Sequence, residues 1–432
     1  MAEEGIKQLQ KEAIDTGLCV ECGACVSVCP TQAITLKEYE WGWNPEMTGN
    51  CPDEVCDVCY RVCPAFEVPS YKIEETFFGR KRKDTFPENV VGVIRDYNNG
   101  YALNPESRDS SYSGGVCNAV LVAALEAGMI DAAVVADFDP ERPWRAVSKI
   151  ATTPEEIIKS AGSKYQPHPH LLAVKQAVDE GYKKIAITAV ACHADGIRKM
   201  QLCEDLGNIA DRIEFVCGLT CATHFTLKGT VHIISKIAGV PLDQVAEFSY
   251  RAKPFPGVFQ VISKDGKIFE QDFVFQTLPQ MMRFVPEHCR LCPEKVSMFG
   301  DLTFGDVWHH PVYSPEKFAT LGKGFSGSYT ATTGYSEEIK EVKKGMSMVI
   351  TRNEKGDRFL KNAVDQGYVK LYPQSIETCY SSTQTLGRWE STLPIILKAR
   401  KHRGLPYRDY GIDFYKHFKK IMQDGGTDEM PW

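Results

Sequence analysis

The sequence has little of what would place a protein inside a membrane or on a nucleic acid. No stretch approaches the roughly 18 consecutive apolar residues of a membrane span. The amino-terminal MAEEGIKQLQKEAID is polar and acidic and lacks the apolar core of a signal peptide. A net charge of −6 gives no global excess of positive charge for binding nucleic acid or an acidic membrane. We therefore expect a cytoplasmic protein that is not integral to a membrane and binds no nucleic acid.

Cysteine, in contrast, is abundant. The chain of 432 residues contains 16 cysteines, although it shows no export signal. Disulfides are rare in a reducing compartment, where clustered cysteines more often bind metal. Half of the cysteines lie between Cys19 and Cys63. This density predicts a metal-binding module at the amino terminus.

The cysteines of this module form two runs. The first run has the spacing C-x2-C-x2-C-x3-C-P and consists of Cys19, Cys22, Cys25 and Cys29. The second has the spacing C-x4-C-x2-C-x3-C-P and consists of Cys51, Cys56, Cys59 and Cys63. The first spacing is typical of bacterial ferredoxins with two [4Fe–4S] clusters, and the second is the same pattern with two extra residues after its first cysteine. Zinc is the alternative metal, but it favours paired two-cysteine motifs over such runs.

In ferredoxins of this type the fourth cysteine of each run ligates the other cluster. This rule assigns to one cluster Cys19, Cys22, Cys25 and Cys63. It assigns to the other cluster Cys29, Cys51, Cys56 and Cys59. The loop after Cys51 has two residues more than the standard spacing, so Cys51 departs from the pattern.

From about Val90 onward the pattern becomes that of an α/β domain. Strand–turn–helix units predict a parallel or mixed sheet, with chemistry at the carboxyl ends of its strands. A helix is predicted over Val116–Ala127 and a strand over Lys184–Val190. A further strand stops near Cys221, with a helix to about Ile237. Asp265-Gly266 predicts a hairpin turn between two later strands. The overall fold class is α+β or α/β, a ferredoxin domain fused to an α/β domain with a mixed sheet.

Several segments have two interpretations when they are read alone. Four cysteines lie at strand ends or in a C-x2-C motif: Cys192, Cys221, Cys289 and Cys292. They either bind a third cluster or are buried, inert thiols. A turn before a helix could bind a phosphate or simply start the helix: Ser113, Gly114 and Gly115. A later turn with a cation and an aromatic ring could be a binding element or surface: Gly162, Lys164 and Tyr165. Inert thiols are expected at Cys117, Cys203, Cys217 and Cys379. The GxGxxG at 322–327 is expected to be a loop, and His309-His310 to be exposed.

Taken in order, six segments resemble the family of coenzyme F420 hydrogenase and dehydrogenase beta subunits. The similarity covers roughly Val90 to Tyr372, with the ferredoxin module fused in front. The segments are SYSGGVCNAVLVAALEAGMIDAAVV from Ser111, AGSKYQPHP from Ala161, IAITAVACHADGIRK from Ile185, VCGLTCATHF from Val216, CRLCPEKVSMFGDLTFGD from Cys289 and MVITRNEKGDRF from Met348.

The resemblance implies one FAD, at least one [4Fe–4S] cluster and a pocket for the deazaflavin coenzyme F420. It carries the family's cluster ligands onto Cys192, Cys221, Cys289 and Cys292. It also places near the flavin Ser113, Gly114, Gly115, Gly162, Lys164 and Tyr165. Asp301 and Asp306 fall in a family motif, with no role assigned.

The chain departs from the family in two places. Ala191-Cys192-His193 stands where many members have Pro-Cys-Gln, which changes a side chain expected near the flavin. An insertion spans about 309–345. The expected domains are a 1–75 ferredoxin domain, a 76–372 reductase domain that contains the insertion, and a 373–432 extension of obscure role.

These features together predict an oxidoreductase that transfers electrons between coenzyme F420 and a partner redox subunit through FAD and three [4Fe–4S] clusters. The expected partner is a hydrogenase, a formate dehydrogenase or a membrane dehydrogenase complex. The alternative is a stand-alone flavin iron–sulfur reductase fed by ferredoxin or another donor. A pure electron carrier would need only the first ~75 residues. We assign no catalytic side chain.

Overall fold

The computed structural model describes residues 5–49, 51, 56–253, 257–307, 344–374 and 393–414. The amino-terminal module consists of three short helices and a hairpin. Its elements are α1 (Gly5–Leu9, continued by a π-helical turn over Gln10–Ile14), α2 (Ala24–Ser27), β1 (Ile34–Tyr39), β2 (Gly42–Met47) and α3 (Val58–Arg61). Each cysteine run contains one of the short helices, with Cys25 in α2 and Cys59 in α3. The predicted ferredoxin-type domain is confirmed.

The remainder of the described chain is built on a mixed sheet of eight strands. They are β3 (Asp96–Ala102), β4 (Ala132–Phe138), β5 (Ala146–Ala151), β6 (Ile185–Val190), β7 (Ile213–Leu219), β11 (Leu302–Asp306), β12 (Ser347–Thr351) and β13 (Val369–Pro373). Their order in the sheet is β13-β3-β12-β11-β7-β6-β4-β5. The neighbours among β4, β6, β7 and β11 are parallel, and the outer strands pair antiparallel. The predicted mixed sheet is therefore confirmed.

A smaller sheet has three antiparallel strands, in the order β10-β9-β8. They are β8 (Val245–Ala252), β9 (Val258–Ser263) and β10 (Ile268–Asp272). The predicted turn at Asp265-Gly266 joins β9 to β10, and Gly266 adopts a φ of +82° that suits glycine.

Helices cover both faces of the large sheet. They are α4 (Ser70–Phe78), α5 (Phe86–Val91), α6 (Pro105–Asp109), α7 (Val116–Glu126), α8 (Pro154–Lys159), α9 (Leu172–Asp179), α10 (Ala191–Gln201), α11 (Gly207–Ala210), α12 (Leu227–His232), α13 (Leu278–Met281), α14 (Glu287–Arg290), α15 (Glu354–Asp365) and α16 (Leu393–His402). None of the helices in the described ranges combines the length and apolar character that crossing a bilayer demands.

Most local predictions agree with these bounds. The helix expected to reach about Ile237 begins at Leu227 and is continued by a π-helical turn that ends at Ile237. Before it, the amide of Cys221 donates to the carbonyl of Lys295 at 2.8 Å. The basic, turn-prone sequence of 79–84 predicts a linker or a solvated face, but the stretch is not solvated throughout. Arg82 is buried and its Nε donates to Glu74 Oε1 at 2.7 Å. The GxGxxG at 322–327, His309-His310, Cys379 and most of the expected insertion and extension lie outside the described residues.

The ferredoxin module is packed against the sheet, and the two share one hydrophobic core. Val62 of the module, Ile187 of β6 and Tyr410 of the carboxyl-terminal segment belong to that core. Backbone contacts strengthen the join, since the amide of Leu171 donates to the carbonyl of Cys22 at 2.9 Å. The opposite face of the sheet is covered by α7 and α15. Successive side chains of a β-strand point to opposite faces of the sheet, so they enter alternately the core shared with the ferredoxin module and the core under α7 and α15.

A buried carboxylate joins several of these elements. Asp301 Oδ1 accepts from Arg198 Nη2 of α10 at 2.8 Å and from Asn353 Nδ2 at 2.6 Å. Asp301 Oδ2 accepts from the amide of Val216 in β7 at 2.8 Å. Both Asp301 and Arg198 have side chains only 2% exposed. Every partner donates, so the ionised carboxylate satisfies all of them.

Replacing Asp301 with Asn should therefore destabilise the protein by about 3–5 kcal/mol, as expected when one partner of a buried ion pair is removed. An amide offers an acceptor on one side only, and the Arg198 guanidinium would stay buried without its counter-charge. The matched control is Asp205→Asn, whose 68%-exposed side chain pairs with Arg61 at 2.9 Å. The control should change stability by about 0–1 kcal/mol. Anaerobic urea unfolding followed by circular dichroism measures both, and equal midpoints for the two variants would contradict this account.

Candidate functional site

The carboxyl ends of the central strands surround a cavity of about 380 Å³. Four cysteines from three distant segments line it. Cys192 follows β6 at the start of α10, and Cys221 follows β7. Cys289 lies in α14 and Cys292 directly after it. The structure thus brings all four predicted C-terminal ligands to one cavity, at the sheet edge where α/β proteins bind ligands.

The segments predicted to contact the flavin reach the same cavity. Its lining includes Ser113, Gly115, Gly162, Lys164 and Tyr165. The lining also includes the first residues of α7. The amide groups at the start of a helix are suited to an anion.

The two adjacent glycines of this segment have different roles. The amide of Gly114 donates to Ser347 Oγ at 3.1 Å, so this amide is engaged within the protein. Gly115 has a φ of +75°, and a Cβ on it would lie 2.6 Å from the carbonyl oxygen of Ser107. Glycine at 115 is thus required by the close approach of α6, and substituting it would disturb the fold as well as the cavity.

Lys164 is a cation held by backbone at the cavity wall. Its Nζ donates to the carbonyl of Ser160 at 2.6 Å and to that of Ala161 at 2.9 Å, at the carboxyl end of α8. Burial lowers the pKa of Lys164 to about 8. Carbonyl groups fix the ammonium in place, where it can face an anionic ligand.

Tyr165 lies in an aromatic and cationic wall of the cavity. Its ring stacks on Phe273, with centroids 5.3 Å apart and planes inclined by 15°. Arg251 Nη1 donates to the Tyr165 hydroxyl at 3.3 Å and to Asp306 Oδ2 at 2.6 Å. The Asp306 carboxylate thereby holds a guanidinium beside the rings. A planar ligand with polar edges suits such a wall.

Three buried imidazoles form another part of the lining: His168, His170 and His193. Their ring centroids are 5.0–5.9 Å apart. His170 Nε2 donates to the carbonyl of Thr188 at 2.8 Å, and Nδ1 accepts from Ser148 Oγ at 3.0 Å. His168 Nδ1 donates to the carbonyl of Gln166 at 3.2 Å, and its buried Nε2 has no hydrogen-bond partner among the described residues. His168 Nε2 can therefore accept a hydrogen bond from a ligand.

Burial keeps these imidazoles neutral. It lowers the pKa of His170 to about 4 and the pKa values of His168 and His193 well below their usual range. His193, where the resemblance led us to expect a glutamine, stacks on His170 with centroids 5.3 Å apart and so belongs to a local histidine cluster.

Two further histidines lie next to Cys289. The Nε2 atoms of His224 and His288 are 2.7 Å apart, and the Cys289 sulfur lies within 4.8 Å of each. Burial raises the pKa of Cys289, but the two imidazoles outweigh it and hold this pKa well below its usual range. The thiolate is the form that binds metal. These three residues could also hold a separate metal ion, but that site would use the cysteine assigned to the cluster.

The amino-terminal cysteines occupy two further sites. The group predicted for one cluster lines a small cavity of about 20 Å³: Cys19, Cys22, Cys25 and Cys63. In the other group, burial and then the charges of Cys56, Cys51 and Cys29 raise the pKa of Cys59 to about 12. Both groups gather four soft thiols, which is the donor set that iron–sulfur clusters take. The residues present therefore fit the predicted clusters.

Some residues of the site were not predicted from the sequence. His168 belongs to the AGSKYQPHP segment, so the resemblance could have singled it out. Arg251 and Arg408 both line the cavity, yet no local pattern marks either of them. Asp306 had no predicted role and proves to pair with Arg251.

Comparison with known proteins matches most of the chain to known families. Two models of the coenzyme F420 hydrogenase/dehydrogenase beta-subunit match the chain. The model of its C terminus matches residues 182–376, and the model of its N-terminal region matches residues 98–175. A 4Fe-4S binding domain matches residues 12–35.

Among curated relatives, coenzyme F420-dependent sulfite reductase of Methanocaldococcus jannaschii is 26% identical over 78% of this chain, which spans only 48% of that protein. One subunit of the F(420)H(2) dehydrogenase of Methanosarcina mazei is 25% identical over 68% of this chain and 77% of its own length. A chain of the F420-reducing [NiFe] hydrogenase complex from Methanosarcina barkeri shares the fold, with a TM-score of 0.55 and 21% identity. That match covers 74% of this chain and 97% of the other.

The neutral imidazoles predict a loss of stability in acid. The unfolded chain protonates His170 near pH 6.5 and the folded chain only near pH 4, so the unfolded state binds more protons between these values. Stability should fall as the pH drops from about 6.5 to about 4, by up to about 1.4 kcal/mol per pH unit for this group. In His170→Gln the fall should be shallower, whereas His402→Gln on the exposed end of α16 should retain it. Urea unfolding at several pH values tests this, and identical slopes in His170→Gln and the unmodified protein would refute it.

Proposed function

Because the chain belongs to the family of coenzyme F420 hydrogenase/dehydrogenase beta subunits, we propose that it transfers electrons between coenzyme F420 and a partner redox subunit. FAD and three [4Fe–4S] clusters would be its resident cofactors. The relatives include proteins named as an F420-dependent reductase and as part of a dehydrogenase, which supports an F420-linked oxidoreductase.

One observation carries the proposal. The cavity at the carboxyl ends of β6 and β7 is lined by the four C-terminal cysteines and by all of the residues expected at the flavin except Gly114. A flavin and a cluster held there would be neighbours. A flavin exchanges two electrons as hydride with a deazaflavin and single electrons with clusters, so this pairing suits the chemistry.

The residues of the cavity have distinct tasks in this proposal. The start of α7 would hold the diphosphate of FAD, helped by the positive end of the helix. Lys164 would add a fixed cation, while Tyr165 and Phe273 would contact a ring system. His168 would accept a hydrogen bond at Nε2 from a ligand N–H. Neutral imidazoles add no positive charge there.

The cysteines would bind the three clusters in the groups already described. The C-terminal cluster would use Cys192, Cys221, Cys289 and Cys292. We assign the two ferredoxin clusters to a 1–75 domain and the flavin and third cluster to a 76–372 domain. The partner would be a hydrogenase, a formate dehydrogenase or a membrane-bound dehydrogenase complex. Of these, a dehydrogenase and a hydrogenase complex occur in the names of the similar proteins.

Iron analysis tests the cluster assignment. Three [4Fe–4S] clusters require about twelve iron atoms per chain. Cys289→Ser should lower this number to about eight, because it removes a thiolate from one group. Cys203→Ser is the matched control, since its thiol lies 3.7 Å from Arg61 and outside all three groups. About eight iron atoms per chain in the unmodified protein would contradict the third cluster. Zinc bound at Cys289 would instead favour a metal site formed by His224, His288 and Cys289.

The identity of the donor is tested by anaerobic single-turnover mixing. Reduced coenzyme F420 should bleach the bound flavin, and NADH should not, because the described chain has no strand–GxGxxG–helix unit. The coenzyme carries a phosphate and a glutamate tail, so the bleaching rate should fall as salt is raised. Faster bleaching by NADH or by reduced ferredoxin would instead support a stand-alone flavin iron–sulfur reductase. Flavin released on denaturation identifies FAD.

A further inference from the structure

A buried cation from the carboxyl-terminal segment reaches the redox centre. Residues 393–414 lie outside the regions that the family and ferredoxin models match. After α16 the chain runs along the ferredoxin module, where the amide of Val68 donates to the carbonyl of Asp409 at 2.7 Å. The amide of Asp409 donates to the carbonyl of Phe66 at 3.2 Å. These bonds fix Arg408, which is 4% exposed, beside the chain that follows Cys63.

On its other side Arg408 contacts α10, the helix that begins beside Cys192. Its Nη1 lies 3.4 Å from Asp195 Oδ2 and 3.1 Å from the hydroxyl of Tyr410, which also donates to Asp195 at 2.9 Å. Arg408 lines the cavity together with Cys192 and Cys292. The guanidinium thus lies beside the C-terminal cysteine group, and the backbone next to it is bonded to the segment that follows Cys63.

The helix α10 connects the same two groups. Gly196 packs on the proline that follows Cys63, since a Cβ at Gly196 would lie 3.7 Å from Pro64 Cγ. Lys199 Nζ donates to the carbonyl of Cys63 at 2.6 Å. Cys63 and Cys192 are therefore held in a fixed relation by packed elements.

Arg408 is therefore packed near both cysteine groups. It shares the cavity wall with Cys192 and Cys292, and its neighbour Asp409 is bonded to Phe66 and Val68 just after Cys63. Arginine stays charged in a protein interior, so its field is constant. In surroundings of low dielectric such a charge is screened weakly.

We propose that Arg408 acts through these cysteines as an electrostatic positioning residue. Its guanidinium favours the electron-loaded states of the cluster on Cys19, Cys22, Cys25 and Cys63 and of the C-terminal cluster. Each electron adds one negative charge to a cluster, so a fixed positive charge near two clusters raises both reduction potentials. The inference rests on the proposed function, because it requires clusters at both groups.

Reduction potentials of the full chain, purified anaerobically, test this inference. Arg408→Gln retains a hydrogen-bond donor for Asp195 but removes the charge, and Arg408→Lys retains the charge. The Gln variant should make one-electron reduction of at least one cluster tenfold less favourable, a lowering of about 59 mV. The reduction potentials of the Lys variant should stay close to those of the unmodified protein. Arg403→Met, at an exposed position of the same segment, is the control and should change nothing. Spectroelectrochemistry with electron paramagnetic resonance at each potential gives the values.

The outcomes separate this inference from the proposed function. About twelve irons in Arg408→Gln with potentials equal to those of the unmodified protein would overturn the role of Arg408 alone. Equal lowering in the Gln and Lys variants would overturn it too, because packing and not charge would then be responsible. If Arg408→Gln loses iron, the test rests on Arg408→Lys, which keeps the positive charge. A lowered reduction potential in Arg408→Lys would then contradict the inference. Absence of the third cluster from the unmodified protein would instead contradict the proposed function.

Discussion

The structure depends on the buried carboxylate of Asp301. It joins the three segments that carry the C-terminal cysteines: α10 through Arg198, β7 through the amide of Val216, and its own loop after Cys292. Cys192 is six residues before Arg198 and Cys221 five residues after Val216, whereas Cys292 is nine residues before Asp301 itself. Because every partner donates and the site is closed to water, the charge holds the segments in one arrangement. The satisfied charge thus helps to hold together the segments on which the four thiols lie.

The same burial governs the chemistry of the cavity. Charges in it are paired, as in Arg251 with Asp306, held by backbone carbonyls, as in Lys164, or suppressed, as in the histidine cluster. Water screens little there, so each fixed charge acts strongly on any electron that enters. A site of this kind can set reduction potentials with few residues, and the arrangement of those residues becomes part of its function.

The amino-terminal module is built into this arrangement. Its core is continuous with one face of the sheet, and Arg145, directly before β5, donates to Glu38 of β1 at 2.7 Å. Lys199 of α10 bonds directly to the carbonyl of Cys63. Electron transfer between cofactors requires a constant separation, and packed elements provide it where a flexible linker could not. The carboxyl-terminal segment adds to this join through its backbone bonds to Phe66 and Val68.

The sequence by itself determined whatever depends on neighbours in the chain. The two cysteine runs, the α7 helix, the β6 strand and the Asp265-Gly266 hairpin follow from spacing, periodicity and turn chemistry over a few residues. Only the tertiary structure decided which distant residues meet. Arg82 lies in a basic, polar stretch of sequence, but it is buried and hydrogen-bonded to Glu74. Arg408 is also buried, although it comes from a polar segment without any motif. The environment of such a residue is set by the partner that folding brings to it, and the partner of a buried charge need not be near it in the chain.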